Sequence, residues 1–124
     1  MSGADVVRTI GYMRLVVGSA ALVAPRRLSS TWLGSDAAAR PETQTLLRSL
    51  GARDLLMAWT SLGVAERPSQ ARRWLVLSAF VDAADAAANL IVRRRLPVAA
   101  VSLSTAAMAA SALQLWAAYD LRGA

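Results

Sequence analysis

"WLVLSAFVDAADAAANLIV", residues 74–92, is the stretch that decides how this chain is read. It is almost wholly apolar, yet Asp82 and Asp85 sit near its centre. On a helix turning 100° per residue, Ser78, Asp82, Asp85 and Asn89 fall within about 60° of one another. The polar groups therefore form one stripe on an otherwise apolar helix. A carboxylate at the centre of a membrane helix costs about 2.5–3.5 kcal/mol on insertion scales. Such a stripe belongs against other helices and not against lipid, so the stretch predicts a membrane helix whose polar side turns into a bundle.

The rest of the composition agrees. Of 124 residues, 56% are hydrophobic and only 18% charged, against about 45–50% and about 25% in soluble domains. Mean hydropathy is +0.39. The length suits one domain. With no Cys and no His, disulfides, thiolate metal sites and the Ser–His–Asp and Cys–His catalytic arrangements are excluded; of common metal sites, only a carboxylate-held Mg²⁺ stays open. The net charge is +6, carried by arginine alone. The arginines flank apolar runs and form no single patch. They read as anchors to anionic lipid head groups and as topology determinants, not as a nucleic-acid surface.

Four helical segments are predicted, at about 5–24, 41–65, 72–92 and 97–119, joined in one all-α, four-helix integral membrane bundle. The first holds Arg8 and Arg14, which a signal-peptide core does not, so it is expected to stay in the protein; "APRRL", with Pro25, ends it. The second starts at Pro41 and Glu42, with its polar first turns projecting from the bilayer or lying at its surface. The fourth carries no charge and is long enough for a hydrocarbon core of about 30 Å. Between the first two lies the only long connection, in which Trp32 and Leu33 suit the membrane interface. The tight links at Pro68 and at 93–96 make helices two, three and four antiparallel neighbours. Counting arginines in the connections mildly favours both termini outside.

Partners for the carboxylates can be named. Arg14 lies mid-way along the first segment, and Gly11, Gly18 and Ala21 share its face, where small residues let a neighbouring helix approach. Arg53 and Asp54 lie in the second. The expected buried network is Arg14, Arg53, Asp54, Asp82, Asp85 and Asn89, since the planar guanidinium fork donates two parallel hydrogen bonds to a carboxylate. The plain role for it is a staple that fixes helix register; the alternative is an ion, proton or substrate path. Three acids face two arginines, which leaves one carboxylate as the candidate for proton exchange. Ser104, Ser111 and Gln114 share one side of the fourth helix and read as small-residue packing first and as a polar cavity lining second. Trp59, Trp74, Trp116 and Tyr119 read as interface anchors.

The runs "MRLVVGSAALVAPRRL" (13–28), "LLRSLGARDLLMAW" (46–59) and "DAADAAANL" (82–90) resemble a family of small actinobacterial four-helix integral membrane proteins known only as a domain of unknown function. The resemblance extends to about Leu90; the fourth helix adds nothing specific. It implies the fold and no activity. Two other small membrane families differ: small multidrug exporters place a glutamate in their first helix, and this first helix has none, while the Gly- and Asn-rich signature of fluoride channels is absent.

The expected function is a non-catalytic accessory or scaffolding subunit of a larger complex in the bacterial inner membrane, with an envelope lipid-transport assembly as one host. The expected partners are the lipid bilayer and a larger membrane complex or further copies of this chain, with no nucleic acid. No catalytic residue, cofactor or metal ligand is assigned. The alternatives are a small oligomeric ion- or proton-coupled transporter and, third, a membrane enzyme acting on a lipid-like substrate through Asp82 or Asp85.

Overall fold

Each of the four prolines opens a helix. In the computed structural model, which describes residues 1–123, Pro25, Pro41 and Pro68 occupy the first turn of α2 (Pro25–Leu33), α4 (Pro41–Val64) and α5 (Pro68–Ile91), and Pro97 immediately precedes α6 (Val98–Asp120). Proline suits these positions because its missing N–H is one that a helix start leaves unbonded, and its φ is already helical. The first helix, α1 (Gly3–Val23), starts differently. The Ser2 hydroxyl accepts from the Asp5 N–H at 3.2 Å and the Asp5 carboxylate accepts from the Ser2 N–H at 2.9 Å, a reciprocal cap. Short α3 (Ser35–Ala39) follows Gly34, whose φ of 83° takes the left-handed region open to glycine.

The described residues are all-α, without strands. Two boundaries differ from the sequence reading. The connection expected between the first two long helices folds into α2 and α3, because Pro25 ends one helix and begins the next. The third long helix begins at Pro68, a turn earlier than 72.

The long helices associate as two antiparallel pairs, α1 with α4 and α5 with α6. Small residues set the first pair's closeness. A methyl group on Gly18 would stand 2.8 Å from the Gly51 carbonyl oxygen, and one on Gly51 would stand 2.8 Å from that of Gly18. Neither crossing residue tolerates a side chain without separation of the helices. In the second pair, the buried Ser111 hydroxyl donates to the Ala79 carbonyl at 2.7 Å. Contrary to the expectation from the short link at Pro68, α4 and α5 touch only sparsely. The Trp74 indole N–H donates to the Ser61 hydroxyl at 2.7 Å, one of the few bridges between them; Trp74 is thus held inside the fold and does not stand free as an anchor. The two pairs meet most closely at the end carrying the chain termini, in an apolar cluster of Val6, Val7, Ala65, Ala71, Leu75, Ala117 and Ala118.

Polarity is distributed inside out. Arg14, Ser29, Ser61, Ser78, Ser104, Ser111 and Gln114 are buried, while Trp59, Phe80, Leu56, Val16 and Ile91 stand exposed. That is the reverse of a water-soluble helical domain. By length and hydropathy, α1, α5 and α6 with its trailing turn are each able to cross a membrane. Helix α4 is as long but is interrupted by Arg48, Arg53 and Asp54, so three such helices are found where the sequence reading had four.

Candidate functional site

All four long helices send a side chain to one place. Arg14, from the middle of α1, is only 8% exposed. Its Nη1 donates to Asp54 Oδ1 of α4 at 2.8 Å, and its Nη2 donates to Asp82 Oδ1 at 2.5 Å and to Ser78 Oγ at 3.1 Å, both on α5. The second oxygen of Asp82 accepts from Gln114 Nε2 of α6 at 2.6 Å. Asp82 is thereby bracketed between the two helix pairs. One turn along, Arg53 of α4 grips Asp85 of α5 with both arms of its fork, at 2.6 and 3.3 Å, and lies 3.7 Å from Asp54.

These contacts follow from local placement. Gly11 and Gly18 flank Arg14 about one turn away on either side along the same face of α1, and α4 lies against both. The guanidinium therefore emerges between closely packed helices and reaches polar partners on α4 and α5. The inner part, Arg14 with Asp54 and Asp82, is sheltered; the outer pair is more open, with the Arg53 and Asp85 side chains 35% and 45% exposed.

Each of the three carboxylates is held by an arginine. The sequence count left one acid unpaired; Arg14 instead serves two acids at once, and none is left over. Asn89 does not join: it is exposed and its side chain takes no part in the network's hydrogen bonds, although it borders the same space. Gln114 and Ser78 belong to the network that the sequence reading drew with six residues. The signal for Gln114 was its spacing from Ser104 and Ser111 on a helix without charge; all three are buried. Among the described residues, no group of three carboxylates is arranged to hold a metal ion.

The network forms the floor of a cleft of about 620 Å³ between the two helix pairs. Its walls are apolar, with Met13 and Val17 from α1, Leu28 and Trp32 from α2, and Leu103 and Leu113 from α6. Four polar atoms at or beside it are buried without a partner: Gln114 Oε1, Arg14 Nε, Arg53 Nε and Trp32 Nε1. Three carboxylates and two guanidiniums make up the charged part of the floor. Arg8, Asp5 and Glu66 form a separate exposed cluster at the end with the termini.

No protein-family model, no curated protein and no solved structure matches the chain.

Proposed function

We propose that this chain is a multi-pass protein of the bacterial inner membrane, with α4 as its fourth crossing segment, and that it works as a non-catalytic accessory or scaffolding subunit of a larger membrane assembly. The observation that carries the reading is the pairing of every carboxylate in the network with an arginine. An acid or base in catalysis must exchange its proton, and a coupling carboxylate in transport must do the same. A carboxylate whose oxygens are taken up by hydrogen bonds from a neighbouring helix is committed to holding that contact. The arrangement therefore suits holding helices together. The apolar perimeter supports the same reading, since α4 places Arg53 and Asp54 in the network and turns Leu56 and Trp59, the latter 81% exposed, outward. Such a surface serves lipid and helix partners alike. An envelope lipid-transport assembly is one host of this kind.

The test is mild extraction of the tagged protein from its own membrane, followed by mass spectrometry of what co-purifies. A larger polypeptide in stoichiometric amount is expected. A homogeneous particle containing this chain alone would overturn the accessory role. One observation favours a second reading, a small oligomeric ion- or proton-coupled transporter: Asp85 is the least enclosed of the three acids and borders the cleft. Loss of proton-coupled flux in liposomes on Asp85→Asn, with the fold intact, would establish that reading over the first.

A further inference from the structure

We infer that the end of the molecule opposite the chain termini is a docking surface for the head groups of acidic phospholipids. It is assembled from separate parts of the chain. Antiparallel pairing of the long helices brings the close of α1, the start of α4, the close of α5 and the start of α6 to that end. With them come Arg26 and Arg27 on α2, Arg40 just before α4, and the Arg93–Arg95 triplet in the turn that leads to α6. Arg48 follows two turns into α4. Helix α2 packs against α1, α4 and α6 and so lies among these parts.

The build of α2 turns its guanidiniums outward. Pro25 and Ser29 are buried, and Leu28 and Trp32 line the cleft. Arg26, Arg27, Ser30 and Thr31 are exposed and fall within about 140° of one another on the opposite face. The Ser30 and Thr31 hydroxyls donate to carbonyls of their own helix, which leaves the arginines as the free donors of that face. The six arginines at this rim meet two acids, Asp36 and Glu42, and among the described residues none of the six forms an ion pair. The other end is closer to balance. Five arginines stand there with Asp5, Glu66 and Asp120, and Arg8 is already held by two of those acids. The sequence spreads arginine over both ends; the fold makes the ends unequal. A guanidinium stays charged at any ordinary pH, so the ligand of the richer end is an anion.

Its position decides which anion. Val23, Ile91 and Val98 are exposed, and each lies within three residues of an arginine of the rim. The apolar perimeter thus ends where the arginines begin, the level at which phosphate head groups meet hydrocarbon. A guanidinium fork matches a phosphate with two parallel hydrogen bonds. An acidic peptide makes no use of such an apolar border. The inference rests on the membrane reading proposed above and not on the accessory role.

The test uses the full chain reconstituted in phosphatidylcholine vesicles holding a minor fraction of one photoreactive lipid, either phosphatidylglycerol or phosphatidylcholine, with the diazirine at the same carbon close to the glycerol. Labelled residues are mapped by mass spectrometry. Phosphatidylglycerol is expected to label residues 23–33 and 91–98 about fivefold or more over phosphatidylcholine, the factor that one arginine near an acidic surface supplies, and to show a smaller preference at residues 66–73. The triple variant Arg93→Gln, Arg94→Gln, Arg95→Gln, with helical content unchanged, is expected to lose most of the preference at 91–98. The triple variant Arg67→Gln, Arg72→Gln, Arg73→Gln is expected to keep it. Equal labelling by the two lipids, or an equal preference at both ends, would overturn the surface. So would an acidic polypeptide cross-linked to residues 93–95 in the native membrane together with no preference for phosphatidylglycerol, which would make the rim a seat for a protein partner. Failure of the membrane reading looks different: the chain would not float with the vesicles of either lipid, and the surface would fall with it.

Discussion

Arg14 is the residue on which most depends, because it is the single cation serving two enclosed carboxylates. Removing one member of a buried ion pair leaves the other charge uncompensated and costs about 3–5 kcal/mol. Arg14→Gln is expected to destabilise the fold by at least that order, read as thermal unfolding in mild detergent followed by circular dichroism. Arg14→Lys is not expected to restore it, since one ammonium cannot reproduce separate contacts to Asp54, Ser78 and Asp82. The neighbouring Arg53–Asp85 pair has the better fork geometry but opens onto the cleft. Arg53→Gln is therefore expected to cost only about 1 kcal/mol or less. Comparable losses for the two arginines would show that enclosure does not set the energetics. At this scale the sequence marked the charged residues well, because a charge inside an apolar run needs a reason. It did not mark the pairing. Helical periodicity gives the face a side chain lies on, but the reach of Arg14 to two helices depends on how closely α1 and α4 approach, and no spacing along one helix encodes that.

The approach of α1 and α4 is a property of the elements. Gly18 and Gly51 place the two backbones in contact, each with the other's carbonyl oxygen 2.8 Å from where a Cβ would stand. Lipid gives apolar helices no solvent-driven reason to associate, so this packing and the polar contacts it permits are what hold them. Gly51→Leu is expected to force the helices apart and to cost about 1–3 kcal/mol from overpacking, measured by the same unfolding experiment. It should also weaken the Arg14–Asp54 contact, so a double variant with Arg14→Gln should lose less than the two single losses added. Full additivity would mean that the glycine crossing and the ion pairs act independently. Long helices were legible from apolar runs closed by prolines, and the small face of α1 from Gly11, Gly18 and Ala21. Helices α2 and α3 were not. "LSSTWLGSDAAAR" (28–40) has the look of a loop from Ser, Thr and Gly, yet Pro25 and Gly34 each start a fresh helix there. The neighbours of α4 were misjudged for a related reason. A short connection fixes where two helices join and leaves free how far they then run side by side.

At the scale of the whole molecule, two helix pairs meet through one apolar cluster at the terminal end, sparse contacts such as Trp74 to Ser61, and the network in the middle. Within each pair the helices pack along their length; between pairs they do so far less. Each half thus carries most of its own packing, and the joint combines that apolar cluster with the polar network. This leads to a test by division. The chain cut between Glu66 and Arg67, in the exposed turn joining α4 to α5, and co-expressed as two tagged halves is expected to reassemble and co-purify. Arg14→Gln in the first half is expected to reduce recovery of the second by about tenfold or more, since the bond to Asp82 crosses the joint and a loss of about 1.4 kcal/mol already suffices for that factor. Gly51→Leu, which lies within the first pair, should lower the yield of that half and disturb the joint only through it. If the halves co-purify equally well with and without Arg14, the apolar cluster at the terminal end holds the molecule together unaided, and the network must be kept for the cleft it floors.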